Sequence, residues 1–177
     1  SKRNYILDVI KKNFLLFGFL GIETPALEKN STLLGKYGNE GDRLIFKILN
    51  SGEKVKKANI SAFQANNLSE FTNSISEKGL RYDLTVPLAR FVAQHQNDLI
   101  FPFKRFQIQN VWRADRPQHG RFQEFTQCDA DIIGTNSILQ EIELIKLYDT
   151  IFSELGFNDI IFKINHRGIL NALANYI

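Results

Sequence analysis

Lys104-Arg105-Phe106-Gln107-Ile108-Gln109-Asn110-Val111-Trp112-Arg113 and Arg121-Phe122-Gln123-Glu124-Phe125-Thr126-Gln127-Cys128-Asp129-Ala130-Asp131-Ile132-Ile133, separated by the loop Ala114 to Gly120, decide how this chain folds. Successive residues of a strand face opposite sides of its sheet, so positions of equal parity share a face. In the first run the odd positions are Arg105, Gln107, Gln109, Val111 and Arg113, and the even ones are Phe106, Ile108, Asn110 and Trp112. In the second, Arg121, Gln123, Phe125, Gln127, Asp129 and Asp131 alternate with Phe122, Thr126, Cys128, Ala130 and Ile132, and Glu124 breaks the division. Two such runs, so close together, predict an antiparallel hairpin with one polar and one mostly apolar face.

Helices are expected on either side of the hairpin. Upstream, Leu84, Leu88, Phe91 and Val92 give a buried face behind Thr85, whose hydroxyl is expected to cap the helix, and Pro87 stands near the first turn, where a missing N–H does little harm. Downstream of Gly134, Ser137 and Gln140 predict a capping box. Ile138, Ile142, Ile145, Tyr148, Phe152 and Leu155 then form one stripe, and Gly156 is the stop. At the start, Ile6, Ile10, Phe14 and Phe17, widened by Leu7 and Leu15, predict a helix from Asn4 to Phe17 that ends at Gly18.

The remaining segments are shorter. Phe19 to Leu27 reads as extended, and Pro25, which lacks a donor, confines it to an edge or an interface. Leu44 to Leu49, entered by the turn-like Gly41-Asp42, predicts a strand, Asp159 to Asn165 another, and Ile169 onward a last helix. Between Asn50 and Gly79 the composition shifts to Asn, Ser, Lys and Glu, which predicts a solvated, mobile connection holding a short helix around Ser61 to Phe71. Its basic run Lys54-Val55-Lys56-Lys57 reads as an exposed face before it reads as a phosphate site. The order lacks the regular strand–helix alternation of a parallel sheet, so the expected class is α+β, an antiparallel sheet flanked by helices.

Composition excludes several functions. With 44% hydrophobic and 12% aromatic residues the 177-residue chain has the apolar surface that disordered segments lack, and no apolar run approaches the roughly 20 residues of a membrane span. One Cys, Cys128, forms no internal disulfide and no multi-cysteine zinc site, so a reducing compartment is expected. A net charge of +3 predicts nothing about nucleic acid by itself. The chain contains no Met, and this raises the expectation that it is part of a longer protein.

The hairpin's polar face carries the chemistry. Solvated strand positions favour Thr and Lys, whereas this face offers Arg, Gln and Asp, groups of fixed hydrogen-bonding geometry, with Phe125 among them. Arg presents a planar fork to phosphate or carboxylate, and Asp accepts from ammonium or imidazole N–H. Such a face suits a ligand that carries both signs of charge and a flat ring. His95, His119 and His166 lack metal-ligand spacing, so no metal site is expected, and Cys128 falls on the opposite face.

Arg113-Ala114-Asp115-Arg116-Pro117-Gln118-His119-Gly120-Arg121-Phe122-Gln123-Glu124-Phe125 resembles the second signature motif of class II aminoacyl-tRNA synthetases, and Thr126-Gln127-Cys128-Asp129-Ala130-Asp131 resembles the histidyl-tRNA synthetases in particular. Gly79-Leu80-Arg81-Tyr82-Asp83-Leu84-Thr85-Val86-Pro87-Leu88-Ala89-Arg90 is similar to that family's amino-acid-binding segment. Gly18 to Leu27, followed by Lys36-Tyr37-Gly38, resembles the first signature motif and its sequel. On this resemblance residues 1–177 are the N-terminal portion of a class II catalytic core. The first motif lies at about 14–27, the connection at 50–79 and the second motif at about 104–133, and the third motif and anticodon-binding domain are absent.

The resemblance implies a ligase that joins L-histidine to ATP, giving histidyl-adenylate and pyrophosphate, and then transfers histidine to tRNA(His). ATP with Mg2+ is a substrate, no permanently bound cofactor is implied, and the protein is expected to be a cytoplasmic homodimer without membrane contact. It assigns Asp83, Thr85 and Gln127 to the histidine ammonium, with Leu84 contributing backbone, and Asp131 to an imidazole N–H. Arg113 is assigned to the α-phosphate and the histidine carboxylate as the catalytic charge, Arg121 to the terminal phosphate of a bent ATP, and Phe125 to adenine stacking. The general motif has Glu where Asp115 stands, and the shorter carboxylate leaves its ATP contact less direct. The chain alone is expected to have little or no activation activity. Two other readings compete: a catalytically inactive, histidine-binding regulatory subunit, and a β module that stacks nucleic-acid bases on Phe and Arg. Retention of Arg113, Arg121, Gln127 and Asp131 disfavours the first, and carboxylates on the same face disfavour the second.

Overall fold

The computed structural model describes the backbone of residues 1–176 and the side chains of all of these except Asn39 and Glu40. The chain forms two compact units, one of residues 19–135 and one that joins residues 1–18 to residues from 136 onward.

The first unit is built on two three-stranded sheets. In one, β1 (Leu20–Gly21) runs parallel to β5 (Phe103–Trp112), which pairs antiparallel with β6 (Glu124–Ile133), in the order β1-β5-β6. The expected hairpin is therefore present, with Arg105 opposite Asp131, Gln107 opposite Asp129, Gln109 opposite Gln127 and Val111 opposite Phe125. Its second strand starts three residues later than expected. Gln123 carbonyl accepts the Arg113 N–H, and Arg121 pairs back to Gln118, so Arg121 to Gln123 belong to the connecting loop. The other sheet is antiparallel, in the order β2 (Leu27–Lys29), β4 (Lys78–Leu80), β3 (Lys47–Ile48). Pro25 lies between β1 and β2, each at the edge of its sheet, where a missing N–H breaks no ladder.

Helices α2 (Asn30–Leu33), α3 (Gly38–Arg43), α4 (Ile60–Gln64), α5 (Leu68–Ile75) and α6 (Thr85–His95) complete this unit with a 3-10 helix at Gly52–Lys57. The strand expected over Leu44 to Leu49 shrinks to β3 because Gly41-Asp42 is helical and Leu44 carbonyl is taken by the Ala114 N–H. Residues 50–79, expected as a connection with one short helix, carry three helical segments and β4. The polar residues that read as solvated cap them: Asn59 Oδ1 accepts the Ala62 N–H, and Asn67 Oδ1 accepts the Glu70 N–H. Lys54 pairs with Glu77 and Lys56 with Glu53, all exposed. Phe19, Leu33, Ile45, Leu84, Leu88, Phe103, Phe106 and Val111 form the core. Glu28 of β2, 4% exposed, takes Arg90 of α6 through three hydrogen bonds of 2.8 to 3.1 Å.

In the second unit α1 (Lys2–Leu16) packs on α7 (Leu139–Glu154), and α8 (Arg167–Tyr176) follows. Asn13 Nδ2 donates to Glu154 at 2.9 Å, and Lys12 pairs with the same carboxylate at 2.6 Å. Both glycine stops hold, with φ of +78° at Gly18 and +86° at Gly156. The buried faces differ from the expected stripes. On α1 they are Val9, Asn13 and Phe14, while Ile6 and Leu15 are exposed; on α7 they are Leu147 and Ile151, while Ile138, Ile142 and Tyr148 are exposed. Helix α7 is apolar around most of its circumference, so its periodicity identified a helix and not the side that packs. The expected capping box is not formed: Ser137 Oγ accepts the Leu139 N–H at 3.4 Å, the Gln140 N–H goes to Ser137 carbonyl, Gln140 Oε1 has no hydrogen-bond partner, and Ile138 takes the N-cap position. Asp159 to Asn165 carries no strand.

Candidate active site

The β5 half of the hairpin's polar face is buried, and its β6 half is half-buried. Arg105, Gln107 and Val111 are 0% exposed. The segment before β2 and the residue after β4 cover that face with matched hydrogen bonds. Gln107 Nε2 donates to Thr24 Oγ1 at 2.8 Å, Thr24 N–H donates to Gln109 Oε1 at 3.0 Å, and Arg81 donates to Thr24 carbonyl and Gln109 Oε1 at 2.6 and 3.1 Å. Arg81 Nε also reaches Asn110 carbonyl at 2.8 Å, and its guanidinium lies over Trp112. Burial lowers the proton affinity of this guanidinium, and Glu28 and Glu23 work against that shift.

The same segment sets the position of Asp83. Arg81 N–H donates to Ala26 carbonyl and Trp112 N–H to Arg81 carbonyl, which lays residues 81–85 across the end of β5. Leu84, fully buried, anchors the turn into α6 with its side chain, and its carbonyl accepts the Leu88 N–H. The helix cap is Asp83, not Thr85: Asp83 Oδ1 accepts the N–H groups of Thr85 and Val86 at 3.1 and 3.3 Å. A carboxylate accepts two helical donors where a hydroxyl takes one, and Thr85, inside the first turn, is left exposed. Tyr37 O–H donates to the same Oδ1 at 2.8 Å, so these three donors share one oxygen of Asp83. Burial, and then this bond, push the Tyr37 phenol far above its ordinary range, so it remains a donor.

Arg113, just past β5, sits among aromatic rings. Its guanidinium lies 4.4 Å from the Tyr82 ring centre and 5.0 Å from that of Phe125, and Nε donates to Tyr82 carbonyl at 3.2 Å. Tyr37 packs on Tyr82 at 4.7 Å. These contacts restrict a side chain that otherwise samples many rotamers, which is how a preorganised cation is made. Arg121, exposed in the loop, approaches Asp115 at 3.7 Å, and Gln123 Nε2 donates to Asp115 carbonyl at 3.0 Å.

Further along β6 the face becomes acidic. Gln127 Nε2 approaches Asp129 Oδ1 at 3.4 Å, and Gln127 Oε1 is buried without a hydrogen-bond partner. Burial raises the Asp129 carboxyl above its usual range, with Asp131 and Asp83 adding to the effect and Arg105 opposing it. Asp131 lies 2.7 Å from Arg105. Thr85 and Asp131 also line an open cleft of about 670 Å3 with Leu88, Val92, Phe101 and Ile133. Asp131 lies six positions along the strand from Phe125, so the face extends about 20 Å from its aromatic, cationic end to its acidic end.

The structure thus gathers Asp83, Gln127, Arg113 and Phe125 around one face, puts Asp131 and Thr85 on the cleft at its far end, and leaves Arg121 and Asp115 on the loop above. Tyr37, Tyr82, Thr24 and Arg81 contribute contacts that sequence reasoning gave no role. Arg105, Gln107 and Asp129 were visible on the polar parity, but not as a buried layer. Among the described residues no group of three or more His, Cys, Asp or Glu side chains is placed to hold a metal, and no helix is long and apolar enough to cross a membrane.

Known proteins share this sequence and geometry. The chain is 59% identical over all 177 residues to the histidine–tRNA ligase of Christiangramia forsetii and 60% identical to that of Azobacteroides pseudotrichonymphae, and it spans 39% and 38% of their lengths. The crystal structure of histidyl-tRNA synthetase from Nostoc sp. PCC 7120 superposes with a TM-score of 0.64 at 30% identity, over 86% of this chain and 30% of that one. The sequence model described as Histidyl-tRNA synthetase matches residues 61–177, which hold Asp83, the whole hairpin and its loop; the chain belongs to the histidyl-tRNA synthetase family.

Proposed function

We propose that the protein carrying this chain is a histidine–tRNA ligase, which activates L-histidine with ATP and its Mg2+ to histidyl-adenylate and then transfers the histidyl group to tRNA(His). The observation that carries this reading is the polarity of one half-buried face, acidic around Asp131 and Asp129 and cationic and aromatic around Arg113 and Phe125. A length of about 20 Å accommodates an amino acid joined end to end with a nucleotide.

In the first step a carboxylate oxygen of histidine attacks the α-phosphorus, the bond to the bridging oxygen breaks, and pyrophosphate leaves. Negative charge grows on the α-phosphoryl oxygens as this happens. In this reading Arg113 meets it, and one such preorganised donor is commonly worth about 3 kcal/mol. Phe125 offers the adenine a flat apolar surface beside that cation. Arg121, exposed on the loop and 3.7 Å from Asp115, takes the terminal phosphate in this reading. At the other end, Asp83 and Gln127 receive the histidine ammonium with Thr85 and the backbone at Leu84, and Asp131 accepts an imidazole N–H. Buried acceptors of this kind discriminate strongly, because an amino acid without matching donors leaves them unpaired. The protein works as a cytoplasmic homodimer in this reading.

The test is histidine-dependent ATP–pyrophosphate exchange by the full-length protein. Arg113→Ala is expected to slow exchange roughly 100-fold or more while histidine binding changes far less, because the charge acts in the transition state. Equal losses in both remove Arg113 from this role, and absence of exchange in the unaltered protein refutes the ligase reading. A histidine-binding regulatory subunit has no need of a cation and stacking ring at the far end of the face, and it predicts histidine binding without exchange.

A further inference from the structure

We propose that Arg105 is a positioning residue for the imidazole pocket, which acts on histidine through Asp131; the proposal rests on the ligase reading above. Arg105 stands in the middle of its sheet, opposite Leu20 of β1 on one side and Asp131 of β6 on the other, and is 0% exposed. It therefore does not touch substrate. Its guanidinium lies 2.7 Å from Asp131 Oδ2, whose side chain is 37% exposed. Oδ2 itself is fully enclosed, so the open part of that carboxylate is the Oδ1 side, and Asp131 lines the cleft. Both side chains stand on the same face of the sheet, where the cation is enclosed and the anion opens to the cleft.

Packing does not account for this arginine. A fully buried guanidinium forfeits its hydration, and an apolar side chain of similar volume commonly serves a fold as well or better. Phe103 and Phe106, the neighbours of Arg105 along β5 apart from Lys104, are core residues. Arg105 Nε and Nη2 have no hydrogen-bond partner, so its own donors are incompletely satisfied and the 2.7 Å approach to Asp131 is a charge contact. What the side chain supplies is one positive charge beside Asp131, and attraction to Asp131, then Asp129 and Asp83, opposes the effect of its burial. Gln107 Oε1 lies 3.5 Å from Arg105 Nη1 and Gln107 is itself tied to Thr24, which orients the fork toward Asp131. Without Arg105, Asp131 keeps its place on β6 but loses the contact that directs its second oxygen at the cleft.

The experiment uses the full-length protein and measures KM for histidine and for ATP separately by pyrophosphate exchange, in Arg105→Leu, Arg105→Lys, Asp131→Asn and the Arg105→Leu/Asp131→Asn double variant. Arg105→Leu is expected to raise histidine KM roughly tenfold or more with ATP KM within about twofold, and Arg105→Lys to recover part of that loss. In the Asp131→Asn background the same Leu substitution is expected to change histidine KM by less than about threefold, since the partner it acts through is gone. A loss that falls equally on both substrates, or that persists undiminished without the Asp131 carboxylate, overturns the proposal. If Arg105→Leu does not fold, Arg105→Lys decides: unchanged histidine KM when the fork is removed overturns the proposal, and a rise confined to histidine supports it. Absence of histidine-dependent exchange in the unaltered protein overturns both this proposal and the ligase reading. A working enzyme indifferent to Arg105 overturns this proposal alone.

Discussion

Replacing Tyr37 by Phe removes one oxygen and leaves the ring packed on Tyr82, so its effects isolate a single hydrogen bond, the 2.8 Å donation to Asp83 Oδ1. A hydrogen bond to a charged acceptor contributes about 1.5–3 kcal/mol, and here Asp83 retains the Thr85 and Val86 N–H donors, so a loss near the lower end, about 1.5 kcal/mol, is expected at pH 7. The pH dependence follows from the raised proton affinity of the Tyr37 phenol, caused first by burial and then by Asp83. Below about pH 10 the phenol is protonated in both folded and unfolded chains, and its contribution is constant. Above that, the unfolded phenol ionises while the folded one keeps its proton. The folded state then binds more protons, and its stability falls by up to about 1.4 kcal/mol for each further pH unit. Tyr37→Phe lacks this term, so the advantage of the parent shrinks through pH 10 and is nearly gone by pH 11. Trp112, the single tryptophan, lies in the same unit, and its fluorescence during urea unfolding at pH 7, 9, 10.5 and 11 reports the difference directly. A difference near zero at pH 7, or one that stays flat from pH 9 to 11, refutes the reasoning.

Two further substitutions test the surrounding geometry by the same assay. Asp129→Asn is expected to stabilise the unit at pH 7: burial holds the carboxyl above its usual range, so its ionised form is disfavoured in the folded state. The gain should fade as the pH falls toward about 4, where the carboxyl is protonated anyway, and an Asn variant less stable than its parent at pH 7 contradicts the assignment. Gly134→Ala is expected to cost about 1–3 kcal/mol, since φ is +88° there and an added Cβ meets Phe101 Cδ1 at 2.5 Å; an unchanged urea midpoint counts against both.

Much of the fold was readable because its longest elements obey simple periods. The β5–β6 pairing followed from parity, and the ends of α1 and α7 followed from Gly18 and Gly156. What failed was local and had local causes. Leu44 to Leu49 has the composition of a strand, but a distant N–H, that of Ala114, takes its first carbonyl, and no count of apolar residues contains that contact. Asn59 and Asn67 read as solvated although their side chains start helices, because a cap and a loop use the same residue types. The stripes on α1 and α7 were misplaced because a helix with apolar residues on several sides does not say which side meets a neighbour.

The candidate site was readable to a different degree at its two ends. Arg113, Arg121 and Phe125 came with a motif, whereas Tyr37 lies 46 residues from Asp83 and has no periodic relation to it. The type of residue on the polar parity was the better guide: Arg, Gln and Asp, in place of Thr and Lys, pointed to directed hydrogen bonds, and Thr24 and Arg81 cover the β5 part of that face. Such a layer is stable only when its groups are matched, so under the proposed function the side chains that close the core are also the ones that aim the ligand contacts. Arg105 and Gln107 pack inside the sheet like core residues and yet set the direction of Asp131. It follows that substitutions in this layer report on function only when stability and substrate-specific KM are measured side by side, because a change in either one alone has two explanations.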